Sequence, residues 1–371
     1  MSHPAPSHRR ARQLALCATA LGLAAIAAPS HALTIIPRFD TSITSLSNAA
    51  AVQAAFNAVA RDYSMSFSNP VTVNVNVSWG SVAGQALPST AVGASVNNLY
   101  GYFSYDQIRS DLFAASASNP SDTSLATAIK SLPATAPAGP TRYVVPSAEA
   151  KALGLIPANQ SSADASIGFA GAASGYDFDP SNGVTANTYD FSAVAAHEMA
   201  EVLGRISGIS SAAPAWRTPY DLFRYNAPGA ISYGFNDPAY FSINRGVTRL
   251  KDFNNSTQGG DRGDWLTLSS VLDVSNAFIS KGQAYNLTAV DLTSLDVLGW
   301  GGSNLGNSAV GSPTRTAFSL ISGVAVPEPA NWTLMILGFG LTGAAMRRRS
   351  GLRAARARAD QPRGGRRPPV A

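Results

Sequence analysis

The residues with the most chemical potential gather in one stretch, Tyr189 to Arg205. His197 and Glu201 are four apart, so a helix would present them on one face, with Glu198 about 100° round from His197. An imidazole and a carboxylate at that spacing can share a divalent cation, and a neighbouring carboxylate can take a proton from a water beside it. The same residues have a plainer use. Glu201 followed by Arg205 is the favoured acid-first order for a helical ion pair, and His197 would then simply join the ladder.

The stretch carries the signals of a short buried helix. Asp190 or Ser192 can accept from first-turn N–H groups, alanine and leucine fill the middle, and Gly204 stands where a left-handed residue ends a helix. The layout is that of the His-Glu-x-x-His metal-binding helix, with Glu201 in place of the second histidine. The first 32 residues have a secretory layout, with arginines, an apolar run from Leu14 to Ala28, and Ser30-His31-Ala32 as a small-x-small cleavage site. Cleavage after Ala32 removes Cys17, the only cysteine, and every histidine except His197. Thiol chemistry, disulfides and cysteine-based metal sites are thereby excluded, and any imidazole chemistry falls to His197.

The net charge of +5 misleads. Three arginines near the start supply +3, and nine arginines against Asp360 from Arg347 onward supply +8, which leaves residues 33–346 at −6. A mildly acidic body gives no basis for nucleic-acid binding. At 371 residues the chain suits one large or two ordinary domains.

Along the body, Leu33 to Ile36 reads as a strand. Ser47 precedes a helix whose Val52, Phe56, Val59 and Tyr63 recur at helical spacing. Val71 to Trp79 alternates valine with Thr72, Asn74, Asn76 and Ser78, which predicts a strand with one core face and one wet face. Helices are expected over Tyr105–Ala115, Thr123–Leu132 and Ala148–Leu153, with short strands at Tyr143–Val145 and Ala165–Ala170. Asp177-x-Asp179-x-Ser181 has the spacing of a calcium loop, but Asn182 and Thr188 stand where that loop needs glycine and a bidentate acid, so an Asx-turn is expected. Residues 209–265 read as loops and short strands covering one side of the His197 helix. Arg262-Gly263-Asp264 spells an adhesion tripeptide, a match expected by chance. A final helix is expected over Val290–Trp300, stopped by Gly299. No Gly-x-Ser-x-Gly elbow exists, which disfavours a serine hydrolase.

Residues 301–325 form a Gly/Ser/Thr-rich linker. Val326-Pro-Glu-Pro, Trp332, Gly338-Phe-Gly340 and Arg347-Arg348-Arg349 then closely resemble the PEP-CTERM sorting tail of Gram-negative bacteria. The resemblance implies export, transient inner-membrane anchoring by a 326–349 transmembrane segment, and processing by an exosortase-type protease before release to the cell surface or medium. The apolar run is shorter than the roughly 20 residues that span comfortably, and the arginines keep its C-terminal side in the cytoplasm. The basic 350–371 tail departs from the sorting pattern.

Most of residues 33–300 is similar to exported bacterial zincin-like metalloproteases. The matching residues are Asp177-Phe-Asp-Pro180, Tyr189-Asp-Phe191 leading into Ala196-His-Glu198, Leu203-Gly204, Asp221-Leu-Phe-Arg224, Tyr240-Phe-Ser-Ile243, Asp264-Trp265 and Leu295-Asp-Val-Leu-Gly-Trp300. The resemblance implies an α+β zincin-like fold, with a mixed sheet packed on helices and a loop-rich C-terminal half. It also implies zinc held by His197 and Glu201, Glu198 as the base, and a peptide or protein substrate. The sequence departs at Glu201, at Ser207 where a metzincin would place its third histidine, and in lacking a Met-turn. A third ligand must come from elsewhere, and Asp221 and Tyr220 are the candidates. Two functions are compatible with this reading: an exported zinc endopeptidase, and a non-catalytic surface or matrix protein on a degenerate zincin scaffold.

Overall fold

The computed structural model describes residues 33–302, except 140–141, 172–174, 212–215, 258 and 269, together with the backbone of 323–325. The expected leader, the membrane segment, the basic tail and most of the linker lie outside the described residues. Among the described residues no helix is long and apolar enough to cross a membrane.

The chain opens with β1 (Thr34–Phe39), then α1 (Ala49–Ser66) and β2 (Thr72–Trp79), with β1 and β2 parallel. α1 buries Val52, Phe56, Val59 and Tyr63, as their spacing predicts. Next come β3 (Gly93–Asn97), β4 (Leu99–Phe103), α2 (Tyr105–Ser118), α3 (Thr123–Ser131), β5 (Arg142–Pro146), α4 (Ser147–Ala152) and β6 (Ala165–Phe169). The main sheet runs β1-β2-β6-β3, parallel except for β3 at its edge. Beyond α5 (Phe191–Val202) the strands are short. β7 (Trp216–Arg217) extends a second sheet, β7-β5-β4. β8 (Arg224–Ala227), β9 (Ala230–Ile231), β10 (Tyr240–Phe241) and β11 (Lys251–Asp252) form a third, in the order β9-β8-β10-β11. The last helix is α6 (Ala289–Asp296). The architecture is α+β, with helices against a mixed sheet and a loop-rich C-terminal half.

Two expectations are corrected. The polar face of β2 is not wet: only Asn76 is exposed, whereas Asn74 and Ser78 are buried. A strand between parallel neighbours is covered on both faces; here Ser78 donates to Ser81 O (2.6 Å) and the 160–164 segment covers Asn74. Asn74 accepts from Arg38 (2.8 Å), donates to Gln160 O (3.1 Å), and gives its backbone N–H to Asp164 (2.8 Å). Asp164 in turn holds the buried Lys151 ammonium at 2.6 Å. α6 also ends at Asp296 rather than continuing to Trp300. Leu298 N and Gly299 N bond back only three residues, to Leu295 O and Asp296 O, and Gly299 turns the chain at φ +98°. Trp300 can then swing inward and donate its indole N–H to Leu203 O at 2.6 Å, at the end of α5. Two strands, β3 and β4, carry no expectation from the sequence at all.

The Asp177 loop is an Asx-turn. Its carboxylate accepts from Asp179 N (2.9 Å), Thr185 N (2.9 Å) and the Thr185 hydroxyl (2.7 Å), so its oxygens are taken up by the turn itself.

Glu149 on α4 is fully buried and sits against Gly204, where an added Cβ would lie 2.9 Å from its Oε2. Burial pushes its carboxyl well above the ordinary value of 4.5. The unfolded chain ionises Glu149 near that ordinary value while the folded chain keeps the proton. Its contribution is therefore undiminished below about pH 4.5, and stability falls as the pH rises until the folded carboxyl also ionises. Glu149→Gln should stabilise the protein increasingly from pH 4 to pH 8, by up to about 1.4 kcal/mol per pH unit. Denaturant unfolding at three pH values measures this, and a pH-independent difference would contradict it.

Candidate metal centre

All twelve residues of α5 are buried. A helix with no wet face belongs to the core, so its polar side chains need partners from the elements around it. Asp190 caps its start by accepting from Ser192 N at 2.7 Å. Tyr63 of α1 donates to Ala196 O (2.8 Å) on one side. On another, Asn97 of β3 donates to Glu201 O (3.2 Å) and the Ser95 hydroxyl donates to Glu201 Oε2 (2.6 Å).

His197 Nδ1 lies 2.9 Å from Val274 O. A carbonyl only accepts, so Nδ1 carries a proton there and Nε2 faces Glu201 and Asp264. That Nε2 is 3.7 Å from Glu201 Oε1 and 3.6 Å from Asp264 Oδ1. These distances are too long for hydrogen bonds. Ligands at ordinary zinc bond lengths in a tetrahedron stand about 3.4 Å apart. One nitrogen and two carboxylate oxygens, all within 4.8 Å of one another, thus fit a divalent cation. His197 Nε2 and Asp264 Oδ2 are buried without a protein partner, as a metal site with an open position would leave them.

Glu198 is fully buried beside this group, and neither of its oxygens has a hydrogen-bond donor. β3 passes it so closely that a Cβ on Gly93 would lie 2.7 Å from Glu198 Oε1 and 2.6 Å from Val194 Cγ1. Glycine is required there. Burial pushes the Glu198 carboxyl well above its ordinary range, the charge of Glu201 adds to this, and His197 opposes it. Burial pulls the imidazole of His197 down, but Asp264, Glu201 and Glu198 together overrule it and raise it to about 10. Asp264 is raised to about 6 by burial, with His197 and Arg205 pulling the other way.

The structure brings His197, Glu198 and Glu201 together and places Asp221 elsewhere. Asp221 Oδ1 accepts from the Ser207 hydroxyl (2.6 Å), and Oδ2 accepts from Gly208 N and Thr218 N (both 2.9 Å). It completes a capping box on the 3-10 turn Pro219–Phe223 and is not in the group of three. Tyr220 is an aromatic neighbour, packed edge-on against Phe253 and Trp265. The third member of the group is Asp264, inside the Arg262-Gly263-Asp264 tripeptide, whose arginine and aspartate are both buried and so unavailable for adhesion. Arg205, expected on Glu201, forms its ion pair with Asp264 at 3.4 Å.

No family model matches the chain, and neither the curated proteins nor the solved structures give a match.

If these three side chains bind one ion, the protein should hold one equivalent of divalent metal, and His197→Ala, Glu201→Ala and Asp264→Ala should each lose most of it. Asp221→Ala should keep the metal and lose about 1–3 kcal/mol of stability, because the Ser207, Gly208 and Thr218 donors lose their acceptor. Elemental analysis with thermal melts separates the two groups, and metal retained by Asp264→Ala but lost by Asp221→Ala would reverse the assignment.

Proposed function

We propose that the chain is an exported zinc-dependent endopeptidase of zincin-like architecture. The observation that carries the reading is the convergence of His197 Nε2, Glu201 Oε1 and Asp264 Oδ1 beside the buried carboxyl of Glu198. These three would hold the ion, leaving a fourth position open as catalytic sites require. Zinc bound there would supply Lewis acidity toward a peptide carbonyl and a water. Glu198 accepts the proton from the attacking water at a carboxylate oxygen and returns it to the leaving amine. To accept that proton Glu198 must be ionised, which burial opposes and a bound cation beside it would favour. Val274 O, accepting from Nδ1, would keep the His197 ring in the tautomer that leaves Nε2 free for the ion.

One observation favours a second reading. His197, Glu198, Glu201 and Asp264 are only 0–2 % exposed, and substrate must reach a catalytic site. A centre shut off from solvent in this way suits a structural metal in a non-catalytic surface or matrix protein on a degenerate zincin scaffold.

Glu198→Gln tells the two apart. On the enzyme reading it retains the metal while peptidase activity falls by roughly 10² or more, the scale of general-base loss. Stoichiometric metal with no hydrolysis of a peptide library would favour the structural centre. A wild-type protein that takes up no zinc would falsify the metal reading altogether.

The leader and sorting tail support the export half of the proposal. An alkaline phosphatase fused within residues 301–325 should be active, and one fused after Arg349 silent; the opposite pattern would overturn the proposed topology.

A further inference from the structure

We propose that Arg205 is a positioning residue that sets the third ligand, Asp264, against the two carried by α5. The inference rests on the metal reading above and adds to it a residue that holds no metal. α5 supplies His197 and Glu201, but Asp264 comes from a separate segment, so something must fix the distance between the two.

The end of α5 is built to aim Arg205. Gly204 N bonds to Glu201 O (2.9 Å) and Arg205 N to Ala200 O (3.0 Å), with Gly204 at φ +112°. This is the paired bonding of a Schellman motif, which reverses the chain at a helix end. The Arg205 side chain is fully buried, with its guanidinium carbon 4.4 Å from the Trp265 ring centre and 5.6 Å from that of Tyr220. Two ring faces fix the plane of the guanidinium, and Nη1 then meets Asp264 Oδ1 at 3.4 Å.

The receiving side is equally constrained. Trp265 follows Asp264 and donates its indole N–H to Asp291 Oδ1 at 2.7 Å. Asp291 is held by the capping box of α6, accepting from Thr288 N at 2.7 Å. Backbone bonds from Trp265 N to Ser275 O (2.9 Å) and from Ala277 N to Trp265 O (3.0 Å) tie this segment to the one carrying Val274, whose carbonyl orients His197. One block therefore presents both Asp264 and the acceptor for His197. Arg205 spans from α5 to that block.

A lysine would keep the charge but lose the plane that the two rings clamp, so Arg205→Lys separates positioning from mere charge. Trp265→Phe leaves every charge in place and removes the indole tether to Asp291. The experiment titrates cobalt(II) into the metal-free full chain, reading affinity and the visible absorption band, with circular dichroism of each metal-free variant as the fold control. Wild type should bind one equivalent. Both variants should bind about 10- to 100-fold more weakly, the usual effect of losing an outer-shell partner, and with an altered band. Affinities within about twofold of wild type and an unchanged band in the folded variants would overturn the positioning role. If Arg205→Lys does not fold, Trp265→Phe decides by the same criteria. A wild-type chain that binds no cobalt overturns the metal reading first, and the role of Arg205 with it.

Discussion

Four ionisable side chains, His197, Glu198, Glu201 and Asp264, share one dry volume between α5, β3 and the 264–277 segment. Charges in such a place must be paired, coordinated or neutralised by a proton. Much of the surrounding architecture answers that demand. The Ser95 hydroxyl meets one oxygen of Glu201, Val274 O meets the far nitrogen of His197, and Arg205 meets Asp264. Glu198 has no such donor, and burial drives it toward its neutral form.

The parts legible in the sequence are those decided locally. α5 announces itself through an acidic cap, an alanine-rich interior and Gly204, and the His197, Glu198 and Glu201 cluster follows from helical spacing alone. β2 is legible as a strand for the same reason. Its burial is not, because the groups that satisfy Asn74 come from Arg38, Gln160 and Asp164, 36 to 90 residues away. β3 gives no alternating signal. Gly93-Ala-Ser-Val-Asn97 is buried along its whole length, and its first residue must be glycine to let Glu198 pass.

For the third member of the group, the sequence holds a readable local signal against Asp221, while Asp264 is marked only as part of the Asp264-Trp265 resemblance. Thr218 stands three residues before Asp221, the spacing of a capping box, and that spacing ties the Asp221 carboxylate to its own turn. The same spacing at Thr288 and Asp291 marks the start of α6. Asp264 carries no comparable local mark. It reaches the site because Trp265 is tethered to Asp291 and bonded to the 275–277 segment, and neither link has a periodicity to betray it.

Glu201 in place of an imidazole alters the charge of the site, and the surrounding groups partly offset the change. With Asp264 also anionic, a bound divalent ion would be neutralised by its own ligands, which by itself weakens its pull on a substrate. Arg205, 3.4 Å from Asp264, restores one positive charge outside the ligand set. Without a metal the balance differs again. Asp264 and Glu201 favour the protonated form of His197 against the effect of its burial. A metal ion must displace that proton to reach Nε2. The carboxylates beside His197 thus favour a cation at its Nε2, whether a proton or a metal ion would supply it, and this lets one helix carry so much ionisable chemistry inside the core.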